Sequence, residues 1–474
     1  MRIINYLDKS LKSIRKLNYE LSVKNRKCKP IKDGFIRGGR MYHSPADICA
    51  DIESTLQDHI LELWYPDVLD FNNGGYHSSF SNKWKLTQER EKFVVSQARH
   101  LWFISHYYLN NQKNENLESY ANHGYQFLRD HFLDNEHNGF YSSRIDLADY
   151  PIKSDSGIKD IYCNSFCIFA LAEYYKAFGD EDALNLSIST FYWILNTAYI
   201  EKYGSYLRYV GNHGEQISKI DQKKISSYLE PYIRAVDYDS VLHLFEAFIS
   251  LYRIWPDKLL RSKIEELFNI ISNRLINKQK NILRFYQQDW KPLPIKSSSL
   301  RNPMNGYSNY FSFGHDLQTA FLLFQAARIL DFDENNIIKK IRDVCDHVLN
   351  TGWDKDFGGI YMHGVYEDNK LIILNRKKAW WVQAEALPPL LLLAMKSNDR
   401  EKYCTYFLHT WAYIQNYLID HVNKGWFFEG YDQKPDAITG LKANIWKTPY
   451  HTGRALVWCL SVLQPVYAEG SMKE

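Results

Sequence analysis

Six apolar stretches of this chain carry polar side chains in or just before their opening turns. These are Arg99, then Asn164, then Asp239 with His243, then His315 with Gln318, then Trp381 with Gln383 and Glu385, and finally His451 with Arg454. If each stretch is a helix, the polar groups gather where unpaired backbone N–H groups and the positive end of the helix dipole also lie. A ring of such ends favours an oxygen-dense ligand or a developing oxyanion. Imidazole is the side chain whose ordinary pKa suits proton transfer near neutral pH. The 13 Trp, 35 Tyr and 25 Phe add flat apolar faces with polar tips, of the kind that stack on the C–H side of a sugar ring. Each residue also has a plainer reading. His315 reads as a helix-start residue bonded to backbone, His451 as a cap after the Pro449 turn, Arg99 as half of a buried ion pair, His243 as a core histidine, and the tryptophans as packing.

The elements that must position these groups recur six times. A helix-like stretch runs into a short loop rich in Gly and aromatics, and the chain returns through a second helix-like stretch. The loops read NNGGYHS from Asn72, NEHNGFYSS from Asn135, EKYGSYLRY from Glu201, KQKNILRFY from Lys278, DKDFGGIYMH from Asp354 and NKGWFFEGYD from Asn423. The period of roughly 60 to 75 residues suits a helix hairpin with an elaborated loop, each copy burying its apolar face against neighbours. Charged, amphipathic helices are expected near 46–63, 116–133, 181–197, 258–277, 335–350 and 399–419. Returning helices are expected near 91–109, 161–178, 237–253, 315–330, 379–396 and 450–463. The returning set is apolar nearly all round, as in LQTAFLLFQAARIL and RALVWCLSVL, which fits helices enclosed by an outer layer. Twelve such helices predict an all-α fold, an (α/α)6 barrel of six hairpins with short β segments in the loops at the cavity end. The barrel is expected over 46–468, with residues 1–45 as an N-terminal extension, either a peripheral helix or a flexible arm.

Bulk properties exclude several classes. Of 474 residues, 45% are hydrophobic and 24% charged, and the net charge of +3 leaves no electrostatic footprint for nucleic acid. The seven cysteines are scattered without a CxxC pair, so they are expected as reduced structural thiols. There is no HExxH, no phosphate-cradling Gly loop, no signal-peptide-like apolar run and no stretch of about 20 apolar residues. The expectation is a cytoplasmic protein with no cofactor, no metal and no membrane contact. The assembly is left open, with a homodimer among the possibilities.

The runs SQARHLWFISHYY, GHDLQTAFLL, KAWWVQAEAL and WKTPYHTGRAL, in this order, closely resemble the N-acylglucosamine 2-epimerase superfamily, which includes cellobiose 2-epimerases and mannose isomerases on six-hairpin α/α barrels. The resemblance covers roughly residues 46 to 465, and WWxQAE followed by PYHxxRA is its most specific part. It implies a cofactor-independent sugar 2-epimerase or aldose–ketose isomerase, acting on a mono- or disaccharide through a cis-enediol. Carried over residue by residue, His315 and His451 fall on the catalytic acid/base pair, and Arg99 on the arginine that steadies charge on O1 and O2. By the same carry-over, His243, Trp380, Trp381 and Glu385 fall on substrate-site positions, with Asn164, Gln318 and Asp239 counted among the candidates for substrate binding.

Two departures from the family pattern stand out. The family's GHxxE reads GHDLQ here, so Gln318 replaces a carboxylate, and Asp239 replaces an Asn four residues before His243. A carboxylate lost from one helix and gained on its neighbour compensates only if both reach one cavity. Two alternatives stay open: a non-catalytic sugar-binding relative, motivated by Gln318, and a glycoside hydrolase on the same barrel using Asp239 and Glu385 as its two acids.

Overall fold

The computed structural model describes residues 45–110, 114–145, 157–217, 234–296, 307–432 and 434–471; the segment before residue 45, expected as an extension, lies outside the described residues. Among the described residues are twelve helices of the expected kind. The outer set is α1 (Pro45–Leu56), α3 (Glu115–Phe127), α5 (Glu181–Thr197), α7 (Lys258–Ile270), α9 (Glu334–Thr351) and α11 (Arg400–Tyr413). The inner set is α2 (Val94–Asn110), α4 (Ile161–Phe178), α6 (Tyr238–Tyr252), α8 (Phe313–Leu330), α10 (Trp380–Lys396) and α12 (Tyr450–Ser471). Each inner helix packs on the next, and α12 packs on α2, which closes the ring.

The burial patterns explain the two layers. Outer α9 buries Ile337, Ile341, Val344, Cys345, Val348 and Leu349, a single stripe at helical spacing. Inner α8 buries almost every residue from Phe313 to Leu330, because neighbours cover it on all sides. Four outer helices (α1, α3, α7 and α11) end in a π-helical turn, at Gln57–Leu61, Leu128–Phe132, Ile271–Leu275 and Ile414–Leu418. Six cysteines are described, and all are buried and free.

The loop end of the barrel is stitched by backbone pairing. The extended residues before each inner helix pair with the loop of the following repeat. Glu91–Phe93 pairs with Ser143–Ile145, Ile158–Asp160 with Tyr209–Gly211, Val236–Asp237 with Phe285–Tyr286, and Phe311–Ser312 with His363–Glu367. Bridges Ala379 to Glu429 and Phe80 to Ala443 complete the circle. A buried lysine from the extended segment then braces its own loop: Lys92 to Asp70 at 2.7 Å, Lys159 to Asp134 at 2.7 Å, Lys378 to Asp354 at 2.6 Å and Lys442 to Asp420 at 2.7 Å. Inner helices therefore start from a fixed rim, and side chains in their first turns are held in place.

Candidate active site

The first turns of α6, α8, α10 and α12 bring the two motif histidines to one indole. The Trp381 ring lies 4.8 Å from the His315 ring and 5.5 Å from the His451 ring, centroid to centroid. Each imidazole has its Nδ1 against a carboxylate from another helix. His315 Nδ1 is 2.9 Å from Asp239 Oδ1, and His451 Nδ1 is 2.6 Å from Glu385 Oε1. His315 keeps 18% of its side chain exposed, and its helix is capped by Ser312, whose hydroxyl accepts from the His315 N–H.

Asp239 is part of an alternating chain of charges under the helix starts. Arg284 Nη2 holds its other oxygen at 2.7 Å and also approaches Asp237, which Arg208 joins to Asp160 at the start of α4. Burial alone would raise the Asp239 carboxyl; Arg284 and then His315 outweigh it and hold it well below the usual carboxylate range. Arg208 and Arg284 come from the matching loop runs YLRY and ILRF, a repeat signal that sequence reasoning passed over.

A second cluster surrounds His451. Arg454 donates to Glu385 at 2.5 Å and also pairs with Glu246, which accepts from the Tyr450 hydroxyl at 2.5 Å. Burial pushes Glu385 up and pulls Arg454 down to about 9, which still leaves the guanidinium cationic at neutral pH beside its two carboxylates. His243 Nδ1 lies 3.1 Å from Glu246 Oε2, on the same helix face at i, i+3. Burial, then the positive charge of Arg99, hold both His451 and His243 well below the ordinary imidazole value, so both rings are neutral at neutral pH.

Arg99 donates to the Trp446 carbonyl at 2.9 Å and to the Tyr162 hydroxyl at 3.1 Å. Its guanidinium lies over Phe166 and Tyr450, 4.4 and 4.9 Å from the ring centres, and its buried Nε has no partner. Among the described residues no carboxylate pairs with it. Trp446, 44% exposed, whose carbonyl meets Arg99, and the buried His363, whose ring meets Tyr310, were not foreseen. The WKTPYH run contains Trp446, and charge felt from Arg284, His315 and Asp239 places His363 close to them.

Three of the expected site residues have their contacts elsewhere. Trp380, next to Trp381 but about 100° further round the helix, packs on Phe428 at 4.4 Å and lines a separate crevice with Trp64, Trp84 and Trp426. Asn164 is 0% exposed and spends its amide on the backbone of Phe140 and Asp160. Gln318, also fully buried, donates to the Tyr450 hydroxyl at 3.4 Å and leaves its Oε1 without a partner. Packing of α8 against its neighbours encloses it. Arg99, His243, His315, Trp381, Glu385, His451 and Asp239 are the expected residues that the fold does gather.

The fold is a closed ring of helix hairpins, an α/α barrel, that gathers an arginine and two imidazoles at the starts of its inner helices. Residues 74–455 match the family N-acylglucosamine 2-epimerase (GlcNAc 2-epimerase), and the chain belongs to that family. It is 27% identical over 421 residues to the cellobiose 2-epimerase of Dictyoglomus turgidum, covering 88% of this chain and 98% of that one. It is 24% identical over 426 residues to the D-mannose isomerase of Marinomonas mediterranea, covering 87% and 98%. The cellobiose 2-epimerase structure from Bacillus thermoamylovorans B4167 superposes with a TM-score of 0.75 at 23% identity, over 88% of this chain and 99% of that chain, which confirms the barrel.

Proposed function

We propose that this enzyme, a member of a family of carbohydrate epimerases and isomerases, moves a proton at C2 of an open-chain reducing sugar using His315 and His451. The carrying observation is the matched pair: two imidazoles on one indole, each with Nδ1 against a buried carboxylate. A carboxylate at Nδ1 keeps the proton there and turns the Nε2 lone pair outward, the tautomer a general base needs. His451, kept neutral by burial and Arg99, is ready to accept a proton.

In this reading one imidazole takes the C2 proton at Nε2, the C–H electron pair forms the C1=C2 bond, and the carbonyl pair moves to O1, giving the anion of a cis-enediol. The other imidazole, which enters the step carrying a second proton from solvent at Nε2, delivers it to the opposite face of C2 as the O1 pair re-forms the carbonyl, which inverts that carbon; the proton held by the first returns to solvent. Delivery to C1 instead, with the O2 proton passing to O1, yields the ketose. Arg99, cationic and without a carboxylate partner among the described residues, supplies the charge that steadies O1 and O2. Trp381 offers its face to the sugar carbons, and the exposed Trp446 offers a further face at the edge of the site, suited to a second ring. Nothing in these steps calls on a cofactor.

The test is incubation with glucose, mannose, N-acetylglucosamine, cellobiose and mannobiose, with products resolved by proton NMR. A C2 epimer or a 2-ketose from at least one of them is expected. Hydrolysis of the disaccharides with no change at C2 would replace this reading with the hydrolase one.

A further inference from the structure

Three inner helices grip the loop in front of them through the side-chain amide of their fourth residue. Gln97 of α2 accepts from the Tyr76 N–H at 2.7 Å and donates to the Tyr76 carbonyl at 2.9 Å. Asn164 of α4 does the same with Phe140 at 2.7 and 3.2 Å, and Gln383 of α10 with Ile360 at 2.8 Å in both directions. The gripped residue directly follows a loop glycine each time, and the approach is close: a Cβ on Gly75, where φ is +65°, would stand 2.5 Å from Gln97 Oε1.

In α8 the fourth residue is an acid. Asp316 accepts from the Ile282 N–H at 3.0 Å, the same loop place, and its Oδ2 is enclosed without a partner. The side chain is 0% exposed. An amide gives the loop carbonyl an N–H. A carboxylate in that place has only lone pairs to set against the carbonyl, whereas a carboxylic acid has an O–H to give.

We propose that Asp316 is carried as the neutral acid, its Oδ2–H donated to the Ile282 carbonyl, so that an acid fills the amide's place and acts as a positioning residue for the α8 end of the site. The loop it holds carries Arg284 two residues on, Arg284 grips Asp239, and Asp239 meets His315, the chain neighbour of Asp316. Only that last link rests on the function proposed above; the clamp itself does not.

The surroundings agree. Burial pushes Asp316 well above the ordinary carboxylate range, opposed only by the Ile282 N–H. The titratable groups that feel it from other elements are Tyr238 of α6, Tyr286 of the paired strand and Cys345 of α9, each itself raised and none cationic. His315, on the same helix, directs its Nδ1 to Asp239.

Infrared spectra of the full chain with 13C-labelled aspartate, compared between wild type and Asp316→Asn at about pH 7, read the protonation directly. Wild type should show an un-ionised carboxyl band, shifted by the label, that Asp316→Asn lacks. Thermal melts give the second reading. An unfolded aspartate ionises near pH 4 while this one keeps its proton, so the contribution of Asp316 to stability should shrink as pH rises above about 4, whatever the other groups do, and Asn escapes that loss. Asp316→Asn should melt near wild type at about pH 5 and a few degrees higher at about pH 8. Asp316→Ala should lose turnover by about tenfold, with Asn restoring most of it. No band lost in Asp316→Asn, or melting below wild type at about pH 8, would overturn the proposal.

Discussion

His315 and Asp239 meet across the seam between α8 and α6, Nδ1 to Oδ1 at 2.9 Å, with the other Asp239 oxygen held by Arg284 at 2.7 Å. The carboxylate that serves this imidazole therefore comes from the neighbouring helix. The position three residues after His315, where the family pattern has Glu, holds Gln318, which is enclosed against Tyr450. Tyr450 already donates to Glu246, so that corner has its negative charge.

Exchanging these two positions should have unequal effects. Asp239→Asn removes the charge at His315 and leaves Arg284 with less compensation, so kcat should fall by about tenfold to a hundredfold with a displaced pH profile. Gln318→Glu adds a carboxylate to a corner where Glu246 and Glu385 already share Arg454. Unpaired burial of that kind costs about 1–3 kcal/mol, read as a lower Tm without a gain in turnover. Gain of activity in Gln318→Glu would show that the carboxylate had not moved to Asp239.

The neighbouring tryptophans should separate stability from function. Trp380→Ala removes a ring that packs on Phe428 and should destabilise by about 3–5 kcal/mol. Trp381→Ala takes away the surface shared by both imidazoles and should reduce kcat/KM by at least about tenfold at a smaller loss of stability. Chemical denaturation and steady-state kinetics on both variants distinguish them; equal profiles would place the two indoles in one role.

Acid should unfold this barrel early. His451 and His243 are held well below the ordinary imidazole value, and His363 and His100 are lowered to about 3, in every case first by burial. A depressed folded pKa gives stability that is complete above the unfolded value near 6.5 and is lost as pH falls toward the folded one. Melting temperature should drop steadily from about pH 6.5 to about pH 4, and His363→Asn should flatten part of that slope.

The repeat, the twelve helices and the closed ring were legible because two layers impose two different apolar patterns, a stripe in α9 and a near-continuous run in α8. The gathering of His315, His451, Trp381 and Glu385 could be read ahead because they lie in compact runs at helix starts. The pairing of Asp239 with His315 could be foreseen as a condition, since a lost and a gained carboxylate stood on neighbouring helices. The loop contacts of Asn164 were not legible because an amide at a helix start looks the same whether it faces ligand or loop; only the shared fourth-residue position with Gln97 and Gln383 reveals the clamp. The different surroundings of Trp380 and Trp381 were not legible because sequence adjacency hides a rotation of about 100°. Arg208 and Arg284 lie in loops and His363 opens a short rim strand, where no periodicity reports which way a side chain points.

The central claim is proton transfer at C2 by two imidazoles, and exchange in D2O tests it most directly. Wild type should replace the C2 proton of at least one reducing sugar with deuterium, followed as loss of its NMR signal. His315→Ala and His451→Ala, both folded by circular dichroism, should each slow that exchange by at least about a hundredfold. Exchange at near wild-type rate in both variants, or none by wild type with any of the sugars, would contradict the account.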